Sequence, residues 1–204
     1  MAVISNGTTL IDAGAISVPT GKMTLIKTLT ASSSATLSFV DGASDVVLDD
    51  TYDEYVFKFI NIHPATDSVD FTFNMSIDSG SNYNVTKTTT LFQAQHKEDD
   101  SKTELAYEAG QDLAQGTGFQ NLSRQVGNEN DENCSGTLQI FSPSSTVFVK
   151  HFIGKMNASV ADPKSENFFS AGYGNTTSAV DAVQFKMSSG NIDSGVIKLY
   201  GIEG

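Results

Sequence analysis

Val69-Asp70-Phe71-Thr72-Phe73-Asn74-Met75-Ser76-Ile77 alternates apolar and polar residues without a break. Successive side chains of a strand point to opposite faces, so this period of two predicts a β-strand. Its buried face carries Val69, Phe71, Phe73, Met75 and Ile77, and its wet face carries Asp70, Thr72, Asn74 and Ser76. A one-residue slip would expose the whole apolar set, which ties the strand to one register. Asp78-Ser79-Gly80 supplies a turn, and Val85 to Phe92 returns as a Thr-rich strand.

The same chemistry extends along the chain in both directions. Upstream, Thr24 to Ala31 and Ala35 to Val40 read as a hairpin around a serine run, closed by Asp41-Gly42. Tyr55, Phe57 and Phe59 line one side of the next strand; Val56, Ile60 and Ile62, interrupted by Lys58, line the other, so both faces read as covered. Pro64 ends it. Downstream, Gln95 to Ala114 is polar and rich in helix formers, which predicts a long loop with one helical turn; Asn128 to Asn133 is a second polar loop. Strands resume at Cys134 to Phe141, Thr146 to Ile153, Phe168 to Tyr173, Ala182 to Met187 and Val196 to Ile202. Ile-Asp-Ser-Gly occurs at Ile77 to Gly80 and again at Ile192 to Gly195, and reads as a reused turn. About nine or ten short strands with Gly, Asn, Asp and Ser at the turns predict an all-β chain, a single jelly-roll-like antiparallel β-sandwich over residues 22–204. Residues 1–21 read as an extended N-terminal arm, with Pro19-Thr20-Gly21 as the turn into the domain.

Composition narrows the function. The chain has 204 residues, enough for a sizeable core in one domain, and a formal net charge of −12 with no Lys/Arg cluster. Such a balance repels phosphate backbones, so nucleic acid is not an expected partner. No apolar stretch is long enough to span a bilayer, and Met1 to Lys22 lacks a basic region followed by an apolar run, so neither membrane insertion nor secretion is expected. Cys134, the single cysteine, allows no intramolecular disulfide and no thiolate cluster. It opens a strand and is expected to pack as a small apolar residue. Asn-x-Ser/Thr sequons begin at Asn6, Asn74, Asn84, Asn121, Asn133, Asn157 and Asn175; without a secretory signal they read as by-products of Asn- and Thr-rich loops.

Catalytic chemistry finds no foothold. His63, His96 and His151 have no partners at metal-ligand spacing, and the sequence holds no G-x-S-x-G elbow and no phosphate-cradling glycine loop. Asp41, Asp45, Asp49, Asp50, Asp53 and Glu54 crowd together and could hold a hard cation, but their spacing is not that of an EF-hand and reads as a solvated acidic turn. No enzymatic activity, cofactor or metal is therefore expected.

Tyr55 to Asp67 (YVFKFINIHPATD), Phe71 to Asn84 (FTFNMSIDSGSNYN), Ser135 to Ser145 (SGTLQIFSPSS) and Gly172 to Ile202 (GYGNTTSAVDAVQFKMSSGNIDSGVIKLYGI) resemble small virion structural proteins of tailed bacteriophages, particularly those of marine bacteria. The likeness spans roughly Lys27 to Ile202 and lies in strands and turns. It implies a location in the virion, assembled in the host cytoplasm, and a function as a capsid decoration (cement) protein that oligomerises, as a trimer, and stabilises the shell. The implied partners are further copies of the chain and the major capsid protein or another virion protein. The arm would dock the copy to its particle through Val3, Ile4, Leu10, Ile11, Ile16 and Val18, by adding a strand or lying in a groove. The second expectation is a tail-fibre or tail-tip domain that binds a host surface glycan, with Tyr83, Tyr107 or Tyr173 cradling the sugar.

Overall fold

The structure, a computed structural model, describes residues 23–202 in full and, within residues 1–22, the backbone of three short strands. These are β1 (Val3–Ser5), β2 (Thr8–Asp12) and β3 (Ala15–Ile16), which pair antiparallel with one another as a sheet of their own.

Residues 23–202 form two antiparallel sheets in a sandwich-like arrangement. The larger runs, in spatial order, β4 (Met23–Ser34), β15 (Ile192–Ile202), β6 (Glu54–Pro64), β11 (Cys134–Phe141), β12 (Lys150–Ser159), β13 (Lys164–Gly174), β8 (Lys87–Lys97) and β9 (Thr103–Tyr107). The smaller runs β10 (Gln120–Val126), β7 (Val69–Ser76), β14 (Ala182–Met187) and β5 (Leu37–Val40). Only β8 to β9, β11 to β12 and β12 to β13 join neighbours of one sheet; every other connection after β4 crosses between sheets. Crossing connections place the inward residues of both sheets against each other. Phe185 of β14 meets Phe57 and Phe59 of β6, each with ring centroids 5.1 Å apart, and Phe71 of β7 at 6.0 Å. Phe73 of β7 meets Phe152 of β12 at 4.9 Å. All of these rings are buried, and each removes apolar surface worth roughly 1.5–3 kcal/mol.

Several local expectations are corrected. β4 and β5 are not a hairpin: they lie in different sheets, and the chain crosses between them after Ser34, which still pairs with Ile192 of β15. The wet face of β7 is not wet. Thr72, Asn74 and Ser76 are buried because loops lie over the outside of the smaller sheet. The Asn74 amide donates to the carbonyls of Tyr83 (2.6 Å) and Thr117 (3.0 Å). Ile77, expected inside, is exposed just beyond the strand. Both faces of β6 do not continue to its end: Asn61, at φ 50°, shifts the register, leaving Ile60 exposed and turning Ile62 inward.

Thr146 to Phe148 is not strand. Ser145 Oγ accepts from the amides of Val147 (3.2 Å) and Phe148 (3.1 Å), a side-chain turn that leaves both apolar residues exposed, and β12 begins at Lys150. The first part of the expected loop is instead the end of β8, a tight turn and β9, where pairing to the β8 edge overrides the helical preference of Glu, Lys and Ala; from Glu108 to Ala114 the chain is loop, without a helical turn. β10 likewise goes beyond the strands read from sequence. The second Ile-Asp-Ser-Gly is no turn: it lies inside β15.

Candidate functional site

The larger sheet turns one face to the core and the other outward. Along β12, Phe152, Met156 and Ala158 are buried, whereas His151, Ile153, Lys155 and Asn157 are exposed. Antiparallel pairing joins outward residues of successive strands into rows. One row runs Tyr107 (β9), Phe92 (β8), Phe169 (β13), Lys155 (β12), Thr137 (β11), Lys58 (β6) and Lys198 (β15). At one end it is an aromatic ladder: Phe92 and Phe169 stack with centroids 5.0 Å apart and planes 10° from parallel. Lys155 Nζ lies 5.4 Å from the Phe169 centroid, and at the other end Lys58 Nζ lies 5.0 Å from that of Tyr200, both within reach of a cation–π attraction.

Beside this row the face is hollowed into a groove of about 470 Å³, lined by Thr88, Thr90, Phe141, His151, Ile153 and Tyr173 among others. His151 and Tyr173 face each other across the β12–β13 pair with ring centroids 6.1 Å apart and planes at 60°, an edge-to-face arrangement. Ile153 is 52% exposed, Phe92 40% and Tyr107 54%, so apolar surface on this face stays in contact with solvent. A second groove, of about 480 Å³, lies at the far end of β8 and β12, lined by His96, Lys97, Asp100, Asn157 and Lys164 among others. There the cations are already matched: Lys97 pairs with Asp162 at 3.0 Å and Lys164 with Glu166 at 2.7 Å.

The tyrosines expected to cradle a sugar divide. Tyr173 lines the first groove and Tyr107 ends the aromatic ladder, its hydroxyl donating to Asp112 at 2.6 Å. Tyr83 is half-buried in the loop between β7 and β8 and is not brought to this face. Of the residues expected to dock the arm, Val3 and Ile4 lie in β1, Leu10 and Ile11 in β2 and Ile16 in β3. Register places Val3, Ile11 and Ile16 in one row. Their side chains, and all of Val18, lie outside the described residues.

Other groups of chemical interest sit apart from this face. Cys134 is buried and its thiol is pushed up to about 12 by burial, which leaves it protonated and unreactive at neutral pH. Lys87 is fully buried; its ammonium donates to Asn74 Oδ1 (2.5 Å) and the Val85 carbonyl (2.7 Å), and burial lowers its pKa to about 7. It lines neither groove. His63 Nε2 lies 3.1 Å from the Glu129 carbonyl, and His96 Nε2 lies 3.0 Å from Asp100 Oδ1. The acidic turn is used locally: Asp41 accepts from the Leu48 amide at 2.8 Å and Asp49 from the Thr51 amide at 2.8 Å. Among the described residues, no three His, Cys, Asp or Glu side chains converge on a point where a metal could sit, and no helix is long and apolar enough to cross a membrane.

Sequence reasoning missed the outward row because it joins residues from seven strands. Alternation within each strand shows that Phe92 and Phe169 oppose the phase of their buried neighbours Leu91 and Phe168, but not that they meet each other. In comparisons with known proteins, no family model, curated protein or solved structure matches this chain.

Proposed function

We propose that this chain is a virion structural protein that works by docking, as a capsid decoration protein that associates with further copies of itself and stabilises the shell. The observation that carries this reading is the outward face of the larger sheet, where Phe92, Ile153 and Tyr107 are exposed around the half-buried Phe169, beside lysines with no carboxylate partner among the described residues. A face enriched in aromatic residues and poor in carboxylates has the composition of an interface core rather than of a surface built for solubility. The resemblance of the strand and turn sequences to phage virion proteins supplies the particle.

A second reading, a tail-fibre or tail-tip domain that binds a host surface glycan, is favoured by one observation: the groove between His151 and Tyr173, whose volume suits a small ligand. Copy number separates the two. Quantitative mass spectrometry of purified particles is expected to find the chain in molar amounts comparable to the major capsid protein. A few copies per particle would move it to the tail and favour the second reading; absence from particles would end both.

A further inference from the structure

The described cations divide by what neutralises them. Lys97, Lys102, Arg124 and Lys164 each lie within 4.0 Å of a carboxylate. Lys87 and Lys150 are buried. The other five described lysines have no carboxylate that close among the described residues: Lys27 lies on the edge strand β4, Lys186 lies over the Phe119 ring at 4.2 Å in the smaller sheet, and Lys58, Lys155 and Lys198 stand together on one outward row. Lys58 and Lys198 are directly opposite each other on adjacent strands, an arrangement that repels. The chain has 24 acidic and 12 basic residues, so neutralising partners are not scarce. Even so, Glu54, at the start of β6, is the one carboxylate at the outward positions of β6, β11, β12, β13 and β8. Carboxylates are thus sparse in the middle of this face, where the three lysines stand, and lie toward its ends, at Asp112 beside Tyr107 and Asp193 in β15.

We infer that the lysine row and the groove beside it form one binding site for an acidic oligosaccharide, a glycan bearing carboxylate or sulfate groups. This rests on the glycan-binding reading and adds the ligand's charge. β12 links the two parts: His151 walls the groove, Ile153 floors the path and Lys155 opens the row, a span of roughly 13 Å along the strand. Thr88 and Thr90 offer hydroxyls in the groove, and Thr137 stands between Lys155 and Lys58. Phe92 and Phe169 stack on each other, while His151 and Tyr173 line the groove and offer aromatic surface to a sugar ring there. A duplex, with one charge per roughly 1.7 Å, would carry far more anion than three lysines balance against a chain of net charge −12. A glycan charged once per ring or less would not. At physiological salt the Debye length is about 8 Å, so a ligand held on this face is shielded from acids on the far side.

The test is calorimetric titration of the full chain with oligo-alginate, dextran sulfate, unmodified dextran and a DNA duplex. The comparison proteins are a Lys58→Gln/Lys155→Gln/Lys198→Gln variant and a Lys97→Gln control. Wild type is expected to bind an acidic saccharide at least tenfold more tightly than dextran, more weakly as salt rises. The triple variant should lose at least tenfold while keeping the wild-type melting temperature, and the control should be unchanged. Equal binding of acidic and neutral saccharides, or an unaffected triple variant, would overturn the acidic ligand and leave glycan binding standing. DNA binding as tight as saccharide would overturn it in favour of a general polyanion site. No binding to any saccharide would remove both the inference and the reading under it.

Discussion

Lys87 shows how a single buried charge sets the pH response of a fold. Its side chain follows the inward phase of β8, and its ammonium has two oxygen acceptors but no carboxylate. Burial lowers its pKa from 10.5 to about 7, so between those values the unfolded chain holds a proton that the folded chain does not. Stability therefore rises with pH through this window, by at most about 1.4 kcal/mol per pH unit, and the full penalty is present below it. Cys134 and Tyr55 act the other way. Burial raises both, so each costs stability as pH climbs past its unfolded value, 9.0 for the thiol and 10.0 for the phenol. Chemical denaturation across pH should give a stability maximum near pH 9. Lys87→Met should be more stable than wild type at pH 7 and flat from there to pH 9; an unchanged slope would show that Lys87 is not its source. Cys134 was legible as a core residue from its place in a strand. Lys87 was not, because a lysine in an alternating strand is read as solvent-facing whatever its phase.

Among the strands, the bulge shared by β6 and β15 does what a uniform period of two cannot. Asn61 at φ 50° and Gly195 at φ 125° each interrupt the alternation, and the β6–β15 register shifts on both sides of the Ser194–His63 pairing. Asn tolerates the left-handed region, but the Gly195 position has no room for a side chain: a Cβ there would meet the Asn61 carbonyl oxygen at 2.7 Å and Ile62 Cα at 2.9 Å. Gly42, at φ 73°, faces open space. Gly42→Ala should therefore cost about 1 kcal/mol, the conformational term alone, and Gly195→Ala roughly 2–4 kcal/mol, because backbone must move as well. Equal losses in urea denaturation would mean that the bulge yields easily. The sequence showed Ile192 to Gly195 as a turn motif because Asp-Ser-Gly is turn chemistry wherever it occurs; only its neighbours on both sides make it a bulge within a strand.

At the level of the whole molecule, residues 23–202 contain a closed two-sheet core, while β1 to β3 pair among themselves. Deleting residues 1–21 should accordingly move the melting temperature of the domain by no more than a few degrees. On the docking proposal it should also abolish attachment to the particle, scored by co-sedimentation with purified shells. Unchanged co-sedimentation would assign attachment to the outward face of the larger sheet rather than to the N-terminal strands. A large fall in melting temperature would show that those strands belong to the folding unit.

The local pattern was sufficient for the all-β class, for most of the strands between Thr24 and Ile202 and for the inward set Phe57, Phe59, Phe71, Phe73 and Phe185, because period two is a property of each strand alone. It could not say which strand lies beside which. The separation of β4 from β5, the burial of Asn74 under the Tyr83 and Thr117 loops and the meeting of Phe92 with Phe169 depend on hydrogen bonds and packing between distant segments. The candidate site is of this second kind: each strand contributes one or two outward residues, and only the register of the larger sheet lines them up.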